Sequence, residues 1–471
     1  MGTWTTPAGG MAPVVEPATG AVLDVIGLSS ADDVSTAAER AARAQPTWAH
    51  TPYSERAAVL RRAGDLFTRH SEEIQRWLVR EAGSIPGKAA FETATAAQEC
   101  YEAAALVSRP IGDLLPSAEP RLSFARRVPA GVVGVIAPFN VPLVLGIRSV
   151  APALALGNAV LLKPDVRTAV SGGVAIMRVF QEAGLPADVL HLLPGGADTG
   201  AALVAAPQVR VVSFTGSTAA GRKVGAMAAE HLKRAHLELG GNSALIVLPD
   251  ADLDKAVSTA AWGSFFHQGQ VCMSTGRHLV HASIADEYIE RLAQKAEHLP
   301  VGNPDKEQVA LGPIIDSGQR DKIHSLVGSS VQAGARLVAG GTYQDLFYRP
   351  TVLADVTDAC PAYAEEVFGP VAPVRSFSNL DEAVALATAT TYGLSLGILT
   401  GDVMRGFDLA ERIPTGLVHI NDQTVNDEAV APFGGVAASG TGSRFGGAAN
   451  IEAFTETRWI TARSTQASYP F

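Results

Sequence analysis

Two observations place the chain in the α/β class, with a parallel sheet covered by helices. Short apolar runs at 132–136, 159–162, 189–192 and 209–214 alternate with segments of helical pattern at 150–156, 169–183 and 219–230. Strands that alternate with helices return across the sheet and pair in parallel. The chain also has 471 residues, 47% of them hydrophobic. That is enough apolar material for several cores, and at about 150 residues per domain it predicts two to four domains.

Taken in order, residues 1–23 carry neither a basic opening nor a continuous apolar stretch of signal-peptide length, so export is not expected. Met1 to Thr6 fits the letter of a myristoylation pattern, a match too short to argue from. From 30 to about 109 apolar residues recur at helical spacing, as in Ala57, Leu60, Ala63, Leu66 and Phe67, then Ile74, Trp77 and Leu78. The Pro-punctuated stretch 111–127 predicts an extended hairpin or arm leading into the strand that starts at Val132. The most apolar window, 141–162, is broken by Pro142, Arg148, Pro152, Gly157 and Asn158, which predicts a buried helix and strand and no membrane span. Beyond Asp250 a second α/β region opens with a helix at 253–266, and turn-rich segments lie at 302–305 and 340–345.

Composition removes several classes of function. Lys plus Arg number 37 and Asp plus Glu 47, a net charge of −10 that argues against a nucleic-acid partner. Three cysteines, Cys100, Cys272 and Cys360, form no CxxC pair, so neither a disulfide framework nor a thiolate metal site is expected and a reducing cytoplasm is the simplest home. No metal is expected, because HExxH and Cys/His clusters of ligand spacing are absent. A serine hydrolase is unsupported for want of GxSxG.

Several local patterns carry chemistry. The stretch Phe214-Thr215-Gly216-Ser217-Thr218 joins an apolar run to an Ala-rich helix, where small residues let backbone N–H groups approach a phosphate. It is not GxGxxG, and such a turn alone is often structural. Lys163-Pro164 puts a cation at the end of a neighbouring run, at the sheet edge where open α/β folds bind nucleotides. Cys272, preceded by Gln268-Gly269-Gln270-Val271 and the pair Phe265-Phe266, suits a thiolate nucleophile beside an apolar pocket, although a lone cysteine is more often inert. Glu238 stands just before Gly240-Gly241, where a loop could hold its carboxylate in a cleft; by itself it reads equally as a surface residue. Cys100 and Cys360 have no comparable setting.

Read together, these patterns fall in one order. With Pro138-Phe139-Asn140-Val141-Pro142, Glu365-Glu366-Val367-Phe368-Gly369-Pro370 and Pro432-Phe433-Gly434-Gly435, they make the chain resemble the aldehyde dehydrogenase superfamily from about residue 16 to 463. The resemblance implies an α/β fold with a Rossmann-like cofactor domain at 1–110 and 129–240, an α/β catalytic domain at 241–440, and a β oligomerisation arm from 111–128 and 441–471. It implies Cys272 as nucleophile, Asn140 as oxyanion donor together with the Cys272 backbone N–H, and Glu238 as general base. Because members that pass the acyl group to coenzyme A generally lack a glutamate there, Glu238 implies hydrolysis to the free acid. For NAD or NADP it implies Lys163, Gly216 and Ser217 at the adenosine ribose and pyrophosphate, Ile136, Ala137 and Gly196 lining the cleft, and Glu366 and Phe368 at the nicotinamide end. Exposed strand edges on the arm imply a homodimer or homotetramer.

Two departures sharpen the expectation. Where many members have Lys-Pro-x-Glu, this chain has Lys163-Pro164-Asp165-Val166-Arg167, which removes a carboxylate that repels a 2′-phosphate. NADP is then permitted, unless Asp165 turns inward and restores a preference for NAD. After Gly435 the usual Lys is replaced by Ala437, and Gly442-Ser443-Arg444-Phe445-Gly446-Gly447 follows. With Asn421 to Glu428, this is similar to benzaldehyde and vanillin dehydrogenases and implies an aromatic aldehyde, with Phe266 and Phe433 walling its pocket. The competing expectation is an aliphatic semialdehyde, for which Arg444 is the nearest anion-binding candidate.

Overall fold

A computed structural model describes residues 4–471; Met1 to Thr3, where the myristoylation pattern begins, lie outside the described residues. A hairpin of β1 (Met11–Val15) and β2 (Val22–Gly27) precedes four helices: α1 (Ala31–His50), α2 (Tyr53–Arg69), α3 (Ser71–Ala82) and α4 (Pro86–Leu106). A ribbon follows, β3 (Gly112–Leu114) and β4 (Leu122–Pro129), which pairs antiparallel with the C-terminal strand Thr455–Ala462. The arm expected at 111–127 is thus a ribbon of three strands.

Next comes the predicted parallel sheet: β5 (Val132–Ile136), α5 (Pro142–Ala155), β6 (Ala159–Lys163), α6 (Ala175–Glu182), β7 (Leu190–Leu192), α7 (Ala197–Ala205), β8 (Val209–Thr215), α8 (Thr218–Glu230) and β9 (Arg234–Glu238). The strands run parallel in the order β7-β6-β5-β8-β9. β5 and β6 are buried at every residue, as a sheet covered on both faces requires. Side chains from α2 to α6 form the core on one face, and α1, α7 and α8 close the other. Register sets the tips of three strands level, since Ile136 pairs with both Lys163 and Phe214. The carboxyl edge of the sheet is therefore one continuous rim.

Two helices differ from expectation. α5 begins at Pro142, eight residues before the predicted start at 150, because proline fits the first helical turn, where its missing N–H costs nothing. The segment 169–183 is not one helix: a 3₁₀ turn at Val166–Thr168 and a π turn at Val170–Val174 precede α6. There the buried Glu81 carboxylate of α3 accepts the Val170 and Ser171 N–H groups, satisfying donors that a regular helix would leave open at its start.

The second half is a seven-stranded sheet containing β10 (Ser243–Val247) and β11 (Thr275–His281), which α9 (Leu253–Phe265) connects. Its order is Arg336–Ala339, Thr351–Ala354, Val371–Phe377, β11, β10, Ser395–Leu399 and Leu417–Ile420, with only the first pair antiparallel. Apolar cores lie on both of its faces. No helix among the described residues is long and apolar enough to cross a membrane.

Candidate active site

A cleft of about 740 Å³ runs along the rim of the five-stranded sheet and ends at Cys272. The β5 tip supplies Ile136 and Ala137, the β6 tip Lys163, the loop before α7 Gly196, and the turn after β8 Gly216 and Ser217. Asn140, Cys272, Glu366 and Phe368 line its far end. Ser217 caps α8, its hydroxyl accepting the Ala220 N–H, so the positive end of that helix opens on the cleft. Lys163 is buried, and its Nζ has one partner, the Pro164 carbonyl at 3.3 Å, which leaves N–H donors free for a ligand hydroxyl. Apolar side chains of α7 and α8, among them Val204, Val224 and Met227, wall the outer end. A slot with apolar walls, spare donors and a helix N-terminus fits a dinucleotide.

Asp165 does not turn into this cleft as a free carboxylate. Burial raises its pKa, but hydrogen bonds from Arg167 to both of its oxygens outweigh burial and hold it below the usual range. Arg167 also pairs with Asp316 at 2.6 Å and lies over the Phe139 ring at 4.2 Å. Phe139 in turn meets Phe368 edge to face at 5.9 Å, and Phe368 has a φ of +54°.

The cysteine is presented by a strained turn. After α9 the chain passes through His267 and Gln268 at φ +50° and +57°, then Gly269 at +66°. A Cβ on Gly269 would fall 2.1 Å from the Gly369 carbonyl oxygen, so only glycine permits this crossing. Gly241 is similarly constrained, since a Cβ there would come within 2.4 Å of the Cys272 carbonyl oxygen. Burial pushes the Cys272 thiol up to about 12, with the Glu366 and Glu238 carboxylates adding to the effect and Arg148 opposing it. In this state Cys272 is a thiol, and its activation requires a base. Cys100 and Cys360 are buried.

Asn140 sits between β5 and α5, and its Nδ2 donates one hydrogen to the Gln270 carbonyl at 2.8 Å, two residues before the cysteine. Glu238 is the last residue of β9 and is buried, so it is neither a loop residue nor a surface one. One oxygen accepts the Gly435 N–H at 3.4 Å and the other has no partner. Burial raises its pKa well above the carboxylate range, while Arg148 works against the rise.

Phe266 and Phe433 lie off the cofactor cleft and pack, with Cys272, against one core. Phe266 stacks on Trp262 at 4.4 Å. Phe433 lies under the guanidinium of Arg148 at 4.4 Å, and Phe445 faces the same group at 5.1 Å. Arg148, fully enclosed in α5, pairs with Asp427 at 2.6 Å, and its field reaches Glu99, Glu238 and Cys272. Burial raises the Glu99 carboxyl to about 8. Sequence reasoning missed this cluster as part of the site, although a charge inside the most apolar window was its signal. Arg444 instead hydrogen-bonds the Thr441 carbonyl at 2.8 Å. Among the described residues, no group of three or more His, Cys, Asp or Glu could hold a metal ion.

Comparison with known proteins identifies the family and the fold. A model described as the aldehyde dehydrogenase family matches residues 4–460. A vanillin dehydrogenase of Amycolatopsis is 71% identical, covering 100% of this chain and 97% of the relative. A benzaldehyde dehydrogenase [NAD(+)] of Pseudomonas putida is 51% identical, covering 99% and 96%. Among solved structures, a betaine aldehyde dehydrogenase from Staphylococcus aureus in complex with NAD+ superposes with a TM-score of 0.96 at 28% identity, covering 100% of this chain and 95% of that one.

Proposed function

The chain belongs to the aldehyde dehydrogenase family, and from that premise we propose that it oxidises an aromatic aldehyde of the benzaldehyde or vanillin type to the carboxylic acid. The observation that carries this reading is the convergence of Cys272 and Asn140 at the inner end of a dinucleotide-sized cleft, with the buried Glu238 close enough to raise the thiol's pKa. Relatives at 71% and 51% identity named for vanillin and benzaldehyde support the aromatic substrate, and Phe266 and Phe433, packed with Cys272 against one core, are the walls this reading assigns to the ring. The semialdehyde alternative needs a free cation in the pocket. The buried Arg148 is already paired with Asp427, and Arg444 is engaged with backbone.

Cys272 Sγ passes its proton to solvent water as the base and attacks the carbonyl carbon, and the oxygen of the resulting adduct takes hydrogen bonds from Asn140 Nδ2 and the Cys272 N–H. When bound, NAD or NADP supplies the two-electron acceptor for hydride from that adduct. Lys163, Gly216 and Ser217 would hold its ribose and pyrophosphate, Ile136, Ala137 and Gly196 would line its slot, and Glu366 and Phe368 would position its nicotinamide end. A thioester remains on Cys272. Glu238 takes a proton from the water that attacks it, and the acid leaves with the thiol restored.

Residues 1–110 and 129–240 serve as the cofactor domain, 241–440 as the catalytic domain, and 111–128 with 441–471 as the oligomerisation arm. Leu114 and Trp459 on that ribbon are 75% and 66% exposed, apolar surface that a homodimer or homotetramer would cover. Steady-state reduction of NAD and of NADP with benzaldehyde, vanillin and a short aliphatic aldehyde tests the substrate. The aromatic aldehydes should lead in kcat/KM by about tenfold, the scale of one added apolar contact surface. An aliphatic lead would transfer the assignment to the semialdehyde alternative.

A further inference from the structure

Against the main chain of Asn140, and outside the cleft lining, lies a buried ion pair that the mechanism above does not use. Lys88 and Glu92 stand one turn apart on α4, 1% and 0% exposed. Lys88 Nζ spends its donors on the Ser84 hydroxyl at 3.1 Å, on Glu92, and on the main-chain carbonyl of Asn140 at 2.7 Å. The other Glu92 oxygen accepts the N–H of Leu143 at 3.1 Å. Helix α5 has no cap of its own, because Val141 stands at its N-cap position and Pro142 at its first turn, so Glu92 supplies the cap from a different helix. The pair thereby grips both ends of the segment 140–143. The same segment is also held by the Asn140 side chain, which donates to the Gln270 carbonyl.

A buried ion pair is weak evidence of stability, since apolar residues of like volume often replace one without loss. What this pair does do is fix the main chain on either side of one amide. We infer that Lys88 and Glu92 are positioning residues, whose hydrogen bonds to Asn140 and Leu143 set the Asn140 amide where it meets the oxyanion. This rests on the oxyanion role proposed for Asn140, which Asn140→Ala alone tests.

The test is a double-mutant cycle between the Lys88→Met, Glu92→Met double variant and Asn140→Ala, read as kcat/KM for benzaldehyde with NAD. The paired methionines should lower kcat/KM by about 10- to 100-fold, the scale of a displaced catalytic group, with the NAD dissociation constant unchanged. In the Asn140→Ala background the same change should cost no more than about threefold, because its target is gone. Full activity of the paired variant beside a crippled Asn140→Ala enzyme would overturn the inference, as would losses that multiply. If Asn140→Ala is itself fully active, the oxyanion reading fails first. Glu92→Gln, which keeps an acceptor for Leu143 and removes the charge, decides by the same cycle if the methionine variant does not fold; it should show a smaller loss that likewise vanishes on Asn140→Ala.

Discussion

The two walls of the cleft are built in opposite ways. On the five-stranded side the wall is regular: level strand tips, a helix N-terminus and a lysine with donors to spare. On the side of the cysteine it is strained, with His267, Gln268, Gly269 and Phe368 all at positive φ, and the half-buried thiol lies within the field of the Glu366 and Glu238 carboxylates. Binding a long polar ligand needs a ready-made rim, which ordinary α/β architecture provides. The same sheet also holds Glu238 at the end of β9 and Asn140 after β5, whereas bringing the nucleophile up to them needs a chain crossing that regular elements cannot supply, and strain concentrates there.

That contrast predicts a graded response to substitution. On the strained wall Cys272→Ala should abolish aldehyde oxidation, a loss of roughly 10⁴-fold or more in kcat, because no other group can carry the acyl intermediate. NAD titration by fluorescence should show cofactor binding intact. Loss of binding together with catalysis would break the division between the walls.

Glu238→Gln should cost about 10² to 10⁴ in kcat, the range of a general base. Mixing the variant rapidly with aldehyde and NAD should still give a burst of reduced cofactor, since thioester formation precedes the step that fails. The sign of the pH dependence follows from burial. Glu238 must be ionised to act and its pKa is raised, so kcat in the native enzyme should climb with pH above the ordinary carboxylate range, an acid limb that Glu238→Gln removes.

The same contrast governs what the sequence discloses. The regular wall was legible: its strands match the apolar runs, and the Thr215 to Thr218 turn and Lys163 stand at strand ends, where phosphate and ribose sites are expected. Cys272, Glu238 and Asn140 were legible only through their resemblance to family motifs, because a lone cysteine or glutamate has no periodicity. Hidden entirely was the part that depends on tertiary burial. Lys88 and Glu92, at i and i+4 on an Ala-rich helix, look like a solvated surface pair, and only the packing of α4 on α5 seals them. Asp427 lies 279 residues from its partner Arg148, a distance no local pattern spans.

On the open wall, effects should be smaller and should fall on the cofactor. Lys163→Met removes charge-assisted donors and should raise KM for NAD about tenfold with little change in kcat. Val166→Glu restores a carboxylate near the ribose site, and like-charge repulsion should cut kcat/KM with NADP by about tenfold or more while sparing NAD. An unchanged ratio would mean that Asp165, despite its pairing with Arg167, already sets the preference.

The smallest effect should come from the tether of that wall. Glu81, buried beneath the turn 165–171, accepts the Val170 and Ser171 N–H groups and the Ser171 hydroxyl, yet burial raises its carboxyl to about 7. The folded protein therefore keeps a proton that the unfolded chain, with an ordinary carboxyl near 4.5, releases. The stabilisation is complete below about pH 4.5 and is lost as pH rises through about 7. Glu81→Gln cannot ionise, so the melting temperature should fall less between pH 5 and pH 8 than in the native protein, by about 2 °C for a chain of this size. Because the tether serves the binding wall, the variant's kcat should stay level while KM for the cofactor moves. A drop in kcat would mean that strain is shared across the cleft.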